Sequence, residues 1–260
     1  PFAGGDISLM RPLHKASDMP PSVLQSELIG GVLTLGLNRP EKRNAINNDL
    51  ARALLRELLR ADADADVRVV VVSGQGMAFC AGRDVSEPPT DADLELTQQV
   101  AQAIVRCSKP VVAAVHGWVV GAGLEWMLDA DIVIAADTAR FKLPEASLGV
   151  FVTGGISAIL PAIAGVSRAK AMMLLGEEFG AAQAHAWGLV WAVVSLDSLQ
   201  DEARRCAQRL ACLDASVVGH FKRVLNQVGL PAFEQAIQEE TSVQRSLQAV
   251  PVAPLARPER

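Results

Sequence analysis

A cysteine framework is the first thing this chain lacks. Its four cysteines, Cys80, Cys107, Cys206 and Cys212, show neither a CxxC spacing nor a secreted disulfide pattern. They sit in apolar runs where a thiol behaves as a small hydrophobe, so the expected setting is a reducing cytoplasm. No run of about 18 uninterrupted apolar residues occurs, which excludes the usual transmembrane helix. A surplus of one charge is also missing: 24 Lys and Arg stand against 29 Asp and Glu, a net charge of -5, with the basic residues scattered. That balance carries no electrostatic footprint for nucleic acid or an anionic membrane surface. The histidines, His14, His116, His185 and His220, are dispersed without ligand spacing, and His116 reads as a structural residue closing an apolar strand. No metal site is expected. A GxSxG elbow is absent, so a serine nucleophile has no pattern in its favour. The acidic "DADAD" (62–66) resembles the start of a calcium loop, but Val67 and Ser73 stand where that loop needs Gly and Glu. It reads as a solvated helix exit.

What the chain does have is length and apolar content: 260 residues, 50% of them apolar, enough for a substantial buried core. Residues 1–22, rich in Pro and Gly, read as a flexible arm. Short β-branched runs at 31–37, 67–73, 109–116 and 131–137, bounded by Gly, Pro or charge, favour strands. Between them lie helical patterns. After Asn47 or Asn48 as N-cap, Leu50, Leu54, Leu55, Leu58 and Leu59 follow an amphipathic stripe, and residues 91–108 have the same character. Strands alternating with helices predict an α/β core over residues 23–200 with a largely buried sheet. From Asp201 the strands stop, and three helical segments predict an α-helical C-terminal region over 201–260.

Two glycine-bearing turns carry the chemical interest. In "GQGMAFCAGRDV" (74–85) a strand ends in small residues, then Gly82 and Arg83 present main-chain N–H groups. In "HGWVVGAGLE" (116–125) Gly117 ends a strand and Gly121 to Gly123 begin a helix, whose first amides have no intrahelical acceptor and suit an anion. The third glycine of a dinucleotide fingerprint is missing there, its place taken by Trp126. If the two turns face each other they form a donor pair for an oxyanion, such as a thioester enolate; singly, each is only a turn. Glu125, about one turn into that helix, and Glu145, after Pro144, could divide base and acid roles near one reaction centre. Singly, Glu125 reads equally well as a surface helix residue and Glu145 as a first-turn acid. Burial would raise their pKa values and a helix N-terminus would lower them, so the net shift has no sign at this level.

Five motifs in order, "NRPEKRNA" (38–45), "AFCAGRD" (78–84), "HGWVVGAGLEWMLDAD" (116–131), "FKLPEASLGV" (141–150) and "AHAWGLVWAVV" (184–194), resemble the enoyl-CoA hydratase/isomerase, or crotonase, family over about residues 23–250. The resemblance implies a spiral of ββα units, with a C-terminal helical region that packs between subunits as a homotrimer or dimer of trimers. It implies Glu125 and Glu145 as the catalytic pair and the backbone N–H groups of Arg83 and Ala122 as the oxyanion hole. Ala78, Cys80, Ala81, Gly82, Asp84 and Gly121 fall where the family holds coenzyme A, with Lys42, Arg43 and Lys222 as candidate phosphate contacts. Coenzyme A would be part of the substrate, and no cofactor is expected. Retention of both glutamates implies hydration of a 2-enoyl-CoA thioester, or the reverse. The rivals are a Δ3,Δ2-enoyl-CoA isomerase and a catalytically silent acyl-CoA-binding member. Three departures bear on the substrate: Phe151, Val152 and Thr153 replace the usual Pro-Gly before Gly154 and Gly155, Arg83 replaces a small residue, and Ala122 replaces Gly, with Trp126 following Glu125.

Overall fold

A computed structural model describes residues 22–86 and 90–249. The arm predicted over 1–22 therefore lies outside the described residues except for Ser22, as do residues 250–260. In chain order the elements are β1 (Leu24–Ile29), β2 (Val32–Leu37), α1 (Asn48–Ala63), β3 (Val69–Gly74), α2 (Asp91–Arg106), β4 (Val111–Val115), β5 (Trp118–Val120) and α3 (Ala122–Leu128). There follow β6 (Ile132–Ala136), β7 (Arg140–Lys142), α4 (Glu145–Leu148), α5 (Ile156–Ala164), α6 (Val166–Leu175), β8 (Phe179–Gly180), α7 (Ala181–Ala186) and β9 (Ala192–Val194). Three helices end the described chain: α8 (Leu199–Ala211), α9 (Ala215–Gly229) and α10 (Phe233–Ala249).

The main sheet has six strands in the order β1-β2-β3-β4-β6-β9, antiparallel only between β1 and β2. A second sheet runs β5-β7-β8, and single parallel bridges at Ile46–Arg83 and Cys80–Val119 continue its path. Each of four successive turns of chain thus makes a main-sheet strand, a short extended stretch and a helix: β2, Ile46, α1; β3, Cys80 to Arg83, α2; β4, β5, α3; β6, β7, α4. This is the predicted spiral of ββα units.

Period-two side-chain alternation assigns each strand residue to one of two cores. Leu33, Leu35, Val70, Val72, Val111 and Ala113 face the larger one, with the leucines of α1. Val69, Val71, Val112, Ala114, Ile134 and Ala136 face the smaller one, covered by Leu199, Ala203 and Ala207 of α8. A parallel sheet buried on both faces needs runs such as "VVVV", since each buried Val or Leu contributes roughly 1.5–3 kcal/mol. Asn47 caps α1, its side chain accepting from Leu50 N at 3.0 Å. Leu50, Leu54 and Leu58 are buried, but Leu59 is 58% exposed, a correction to the predicted stripe. At about 100° per residue Leu59 points opposite Leu50. Among the described residues no helix is long and apolar enough to cross a membrane.

Candidate functional site

The loop before α1 builds the floor of the site. Asn44, fully buried and in the left-handed region at φ 56°, accepts from Arg39 N at 2.8 Å through Oδ1. Its Nδ2 donates to the carbonyls of Gln75 and Ala78 at 2.9 and 2.8 Å. The Cys80 thiol donates to Asn44 O, and burial pushes that thiol up to about 12, so it is an inert packing group. Ala78 and Cys80 are both buried beneath the first glycine turn and do not line the cavity described below.

The two glycine turns do face each other. Gly82 has φ +85° and Gly121 φ +52°, and a Cβ on Gly82 would stand 2.8 Å from Val120 O and 3.7 Å from the Gly121 α-carbon. Only glycine permits both the backbone sign and the approach. Ile46 N donates to Gly82 O and Asp84 N to Ile46 O, each at 2.8 Å, so strand alternation turns the Arg83 amide to the edge away from Ile46. Ala122 is the first residue of α3, where an amide has no acceptor within the helix.

A cavity of about 490 Å³ opens beside these turns, lined by Ala81, Gly82, Arg83, Gly121, Ala122, Glu125, Glu145, Phe151 and Thr153, among others. Val152 is turned the other way into the core, 3% exposed, because its neighbours Phe151 and Thr153 take the cavity side. Asp84 faces an adjoining polar depression and pairs with Arg39 at 3.0 Å. Bonds from the Ser86 hydroxyl and amide, with the Arg39 guanidinium beside it, hold Asp84 down to about 2. Trp126 is buried against α2, its Nε1 donating to Thr97 O at 3.3 Å, and does not line the cavity. Arg83 lies at the wall with its guanidinium 3.4 Å from Asp93 of α2. Lys42 and Arg43 are exposed on the loop before α1. Lys222 corrects its reading as a phosphate contact: it is 7% exposed, and its Nζ meets Asp131 at 2.8 Å and the carbonyls of Ile104 and Lys109. A larger hollow of about 760 Å³ runs beside it between the end of α2 and α9, but Lys222 is already neutralised there.

Glu125 is 2% exposed within a helix whose every residue is buried. Its Oε2 accepts from Thr153 N at 2.9 Å and from Gly154 N. Burial raises its pKa well above the ordinary carboxyl value, the nearby carboxyls of Glu145 and Glu240 add to the rise, and the two amides oppose it. Glu145 opens α4; burial lifts it to about 7, and its Oε2 is buried without a partner. Two carboxyls thus share one cavity, and each keeps its proton to higher pH than an ordinary carboxyl does.

Helix α10 supplies residues that sequence reasoning missed. Glu240, fully buried, accepts from Gly155 N at 2.7 Å and Ser157 N at 2.9 Å, next to the amides that hold Glu125. One turn later Gln244 Oε1 accepts from Phe151 N at 2.7 Å. Asp129, one turn beyond Glu125, is buried with both oxygens unpartnered, and burial raises its pKa well above the ordinary value. The only sequence signal for α10's role is a polar residue at 240 and at 244 in an otherwise amphipathic helix.

The chain has known relatives. A family model described as enoyl-CoA hydratase/isomerase matches residues 27–251. A 1,2-epoxyphenylacetyl-CoA isomerase of Escherichia coli K12 is 34% identical over 225 residues, covering 83% of this chain and 86% of that protein. A 2,3-dehydroadipyl-CoA hydratase of the same strain is 36% identical over 214 residues, covering 80% and 84%. The solved structure of an enoyl-CoA hydratase from Mycobacterium avium subsp. paratuberculosis K-10 superimposes with a TM-score of 0.85 at 32% identity, covering 90% of this chain and 96% of that one. The family model, the sequence identities and the superposition each extend over most of the chain, which belongs to the enoyl-CoA hydratase/isomerase family.

Proposed function

We propose that the protein adds water to a 2-enoyl-CoA thioester, or removes it from the 3-hydroxyacyl thioester. The observation that carries this reading is that Glu125 and Glu145 open onto one cavity beside the facing turns at Gly82 and Gly121. In the forward direction Glu125 takes a proton from water as its oxygen bonds to Cβ. The electron pair of the double bond moves onto the thioester oxygen, and the Arg83 and Ala122 amides stabilise that charge. The enolate then collapses and Glu145 gives its proton to Cα. The Thr153 and Gly154 amides draw the pair's single charge to Glu125, while the unpartnered Glu145 Oε2 suits the proton. The reaction draws on two carboxyls and two amides and on no cofactor; coenzyme A belongs to the substrate.

The test is the fall in absorbance of the conjugated enoyl thioester over a panel of chain lengths. Glu125→Gln and Glu145→Gln should each lower kcat by roughly 10²–10⁴-fold, the usual share of general acid–base catalysis. A wild type that hydrates no chain, or an equally active double variant, defeats the proposal. A second reading, isomerisation of a 3-enoyl thioester through the same enolate, is favoured by membership of a family described as enoyl-CoA hydratase/isomerase. It needs only one shuttling carboxyl, so an active Glu125→Gln enzyme on a 3-enoyl thioester would select it.

The C-terminal helices are assigned to packing between copies of the chain, as a trimer or a pair of trimers. The exposed α9 face of Val217, Phe221, Val224, Leu225 and Val228 supports this. Sedimentation at micromolar concentration reads the assembly, and a monomer there would refute it.

A further inference from the structure

Gln244 stands in the cavity wall where α10 passes Phe151. It is only 5% exposed. A carboxamide has an acceptor at one end and two donors at the other, and a backbone N–H can meet only the oxygen. The bond from Phe151 N to Oε1 therefore fixes which end is which. Nε2 is left with its N–H groups: among the described residues nothing accepts from it, and it is not sealed inside protein. The cavity is the space left to it. Nearby lining is largely apolar, from Leu94, Leu148, Val150 and Phe151.

The position of this donor along a bound acyl group follows from the chain. Phe151, held by Gln244, is two residues before Thr153, whose amide holds Glu125. Gln244 thus lies on the Glu125 side of the cavity. If Glu125 directs water at Cβ, that side receives the acyl group beyond Cβ.

The geometry points to Gln244 as a specificity-determining residue, whose Nε2 donates to an oxygen acceptor on the acyl chain beyond Cβ. The preferred thioesters then carry a carbonyl or carboxylate oxygen in place of a plain hydrocarbon tail. The inference rests on the acyl-CoA reading of the site. A hydrocarbon tail would cover the Nε2 donors without satisfying them, and a site built to hydrogen-bond a substrate discriminates against an analogue that lacks the partner.

The experiment compares three 2-enoyl-CoA thioesters of equal chain length, ending in a methyl group, a carboxylate or the methyl ester of that carboxylate. Wild type should favour at least one oxygen-bearing chain over the hydrocarbon by about 10-fold in kcat/KM. Gln244→Leu should bring that ratio close to one. Preference for the carboxylate over the ester identifies a charged acceptor, and equal preference identifies a carbonyl acceptor; both support the assignment. No preference in wild type overturns it. So does an equal loss on all three substrates in Gln244→Leu, which is what loss of the Phe151 anchor alone would give. Gln244→Met, closer in shape, provides the same ratio if the leucine variant does not fold. Calorimetric Kd values for the corresponding saturated acyl-CoAs report the ratio without turnover. A wild type that binds with the predicted preference yet hydrates nothing would defeat the hydratase reading and leave this inference standing.

Discussion

Glu145 Oε1 rests against the α-carbon of Gly121, so closely that a methyl group added there would lie 2.6 Å from the oxygen. The glycine that begins the helix of one carboxyl thereby also seats the other. With φ +52° and ψ -128°, the same residue occupies backbone space that other residues enter only under strain.

Gly121→Ala should accordingly fail twice. The backbone strain costs about 1–3 kcal/mol, read as a lower midpoint in urea. The methyl group displaces the Glu145 carboxyl and turns the Ala122 amide, so kcat should fall by about 100-fold or more. Near-normal hydration by this variant would show that the seating is irrelevant.

Stability should decline from acid to neutral pH because of Glu145. Its folded pKa, about 7, exceeds the ordinary carboxyl value, so the folded state binds the proton more tightly than the unfolded chain. The stability this gives is full below the ordinary value and is lost as pH rises through about 7. The loss is on the order of 3 kcal/mol. Glu125, shifted in the same direction, adds to it. Glu145→Gln has no such proton to lose, so its urea midpoint should overtake that of wild type between pH 5 and pH 8. Parallel curves for the two proteins would contradict the shift.

Glu240→Gln keeps one acceptor for the two amides, Gly155 N and Ser157 N, that the carboxylate now serves. One buried N–H loses its partner, which costs about 1–3 kcal/mol. The adjoining amides of Thr153 and Gly154 hold Glu125, so kcat should drop about 10-fold as well. Loss of stability with an unchanged kcat would separate α10 from the chemistry.

Lys222→Met leaves the part-exposed Asp131 carboxylate without its cation and the carbonyls of Ile104 and Lys109 without their donor. Losing these partners costs about 1–3 kcal/mol. The KM for an acyl-CoA thioester should nonetheless stay the same, since Lys222 is spent inside the fold. A KM raised severalfold in a folded variant would restore it as a phosphate contact.

The sequence by itself determined the elements whose pattern is local and long. Runs such as "VRVVVVS" can be buried only as sheet, and the Leu50, Leu54 and Leu58 stripe after Asn47 can only be a capped amphipathic helix. It also set out the ordered motifs of the family and put Glu125 and Glu145 forward as acids. The short strands β5, β7, β8 and β9 were not legible, because two or three residues carry no periodicity and pair only once the spiral has formed. Leu59 and Lys222 misled for a related reason: composition marks a residue as apolar or basic, and packing decides what it touches. Only the tertiary structure brought the Gly82 and Gly121 turns within contact and set Glu145 against Gly121. It alone raised the pKa of both carboxyls, since burial, and for Glu125 the repulsion of nearby carboxyls, exist only when segments distant in sequence enclose the same space. The same is true of α10, whose Glu240 and Gln244 reach back 85 and 93 positions to fix the segment that holds Glu125.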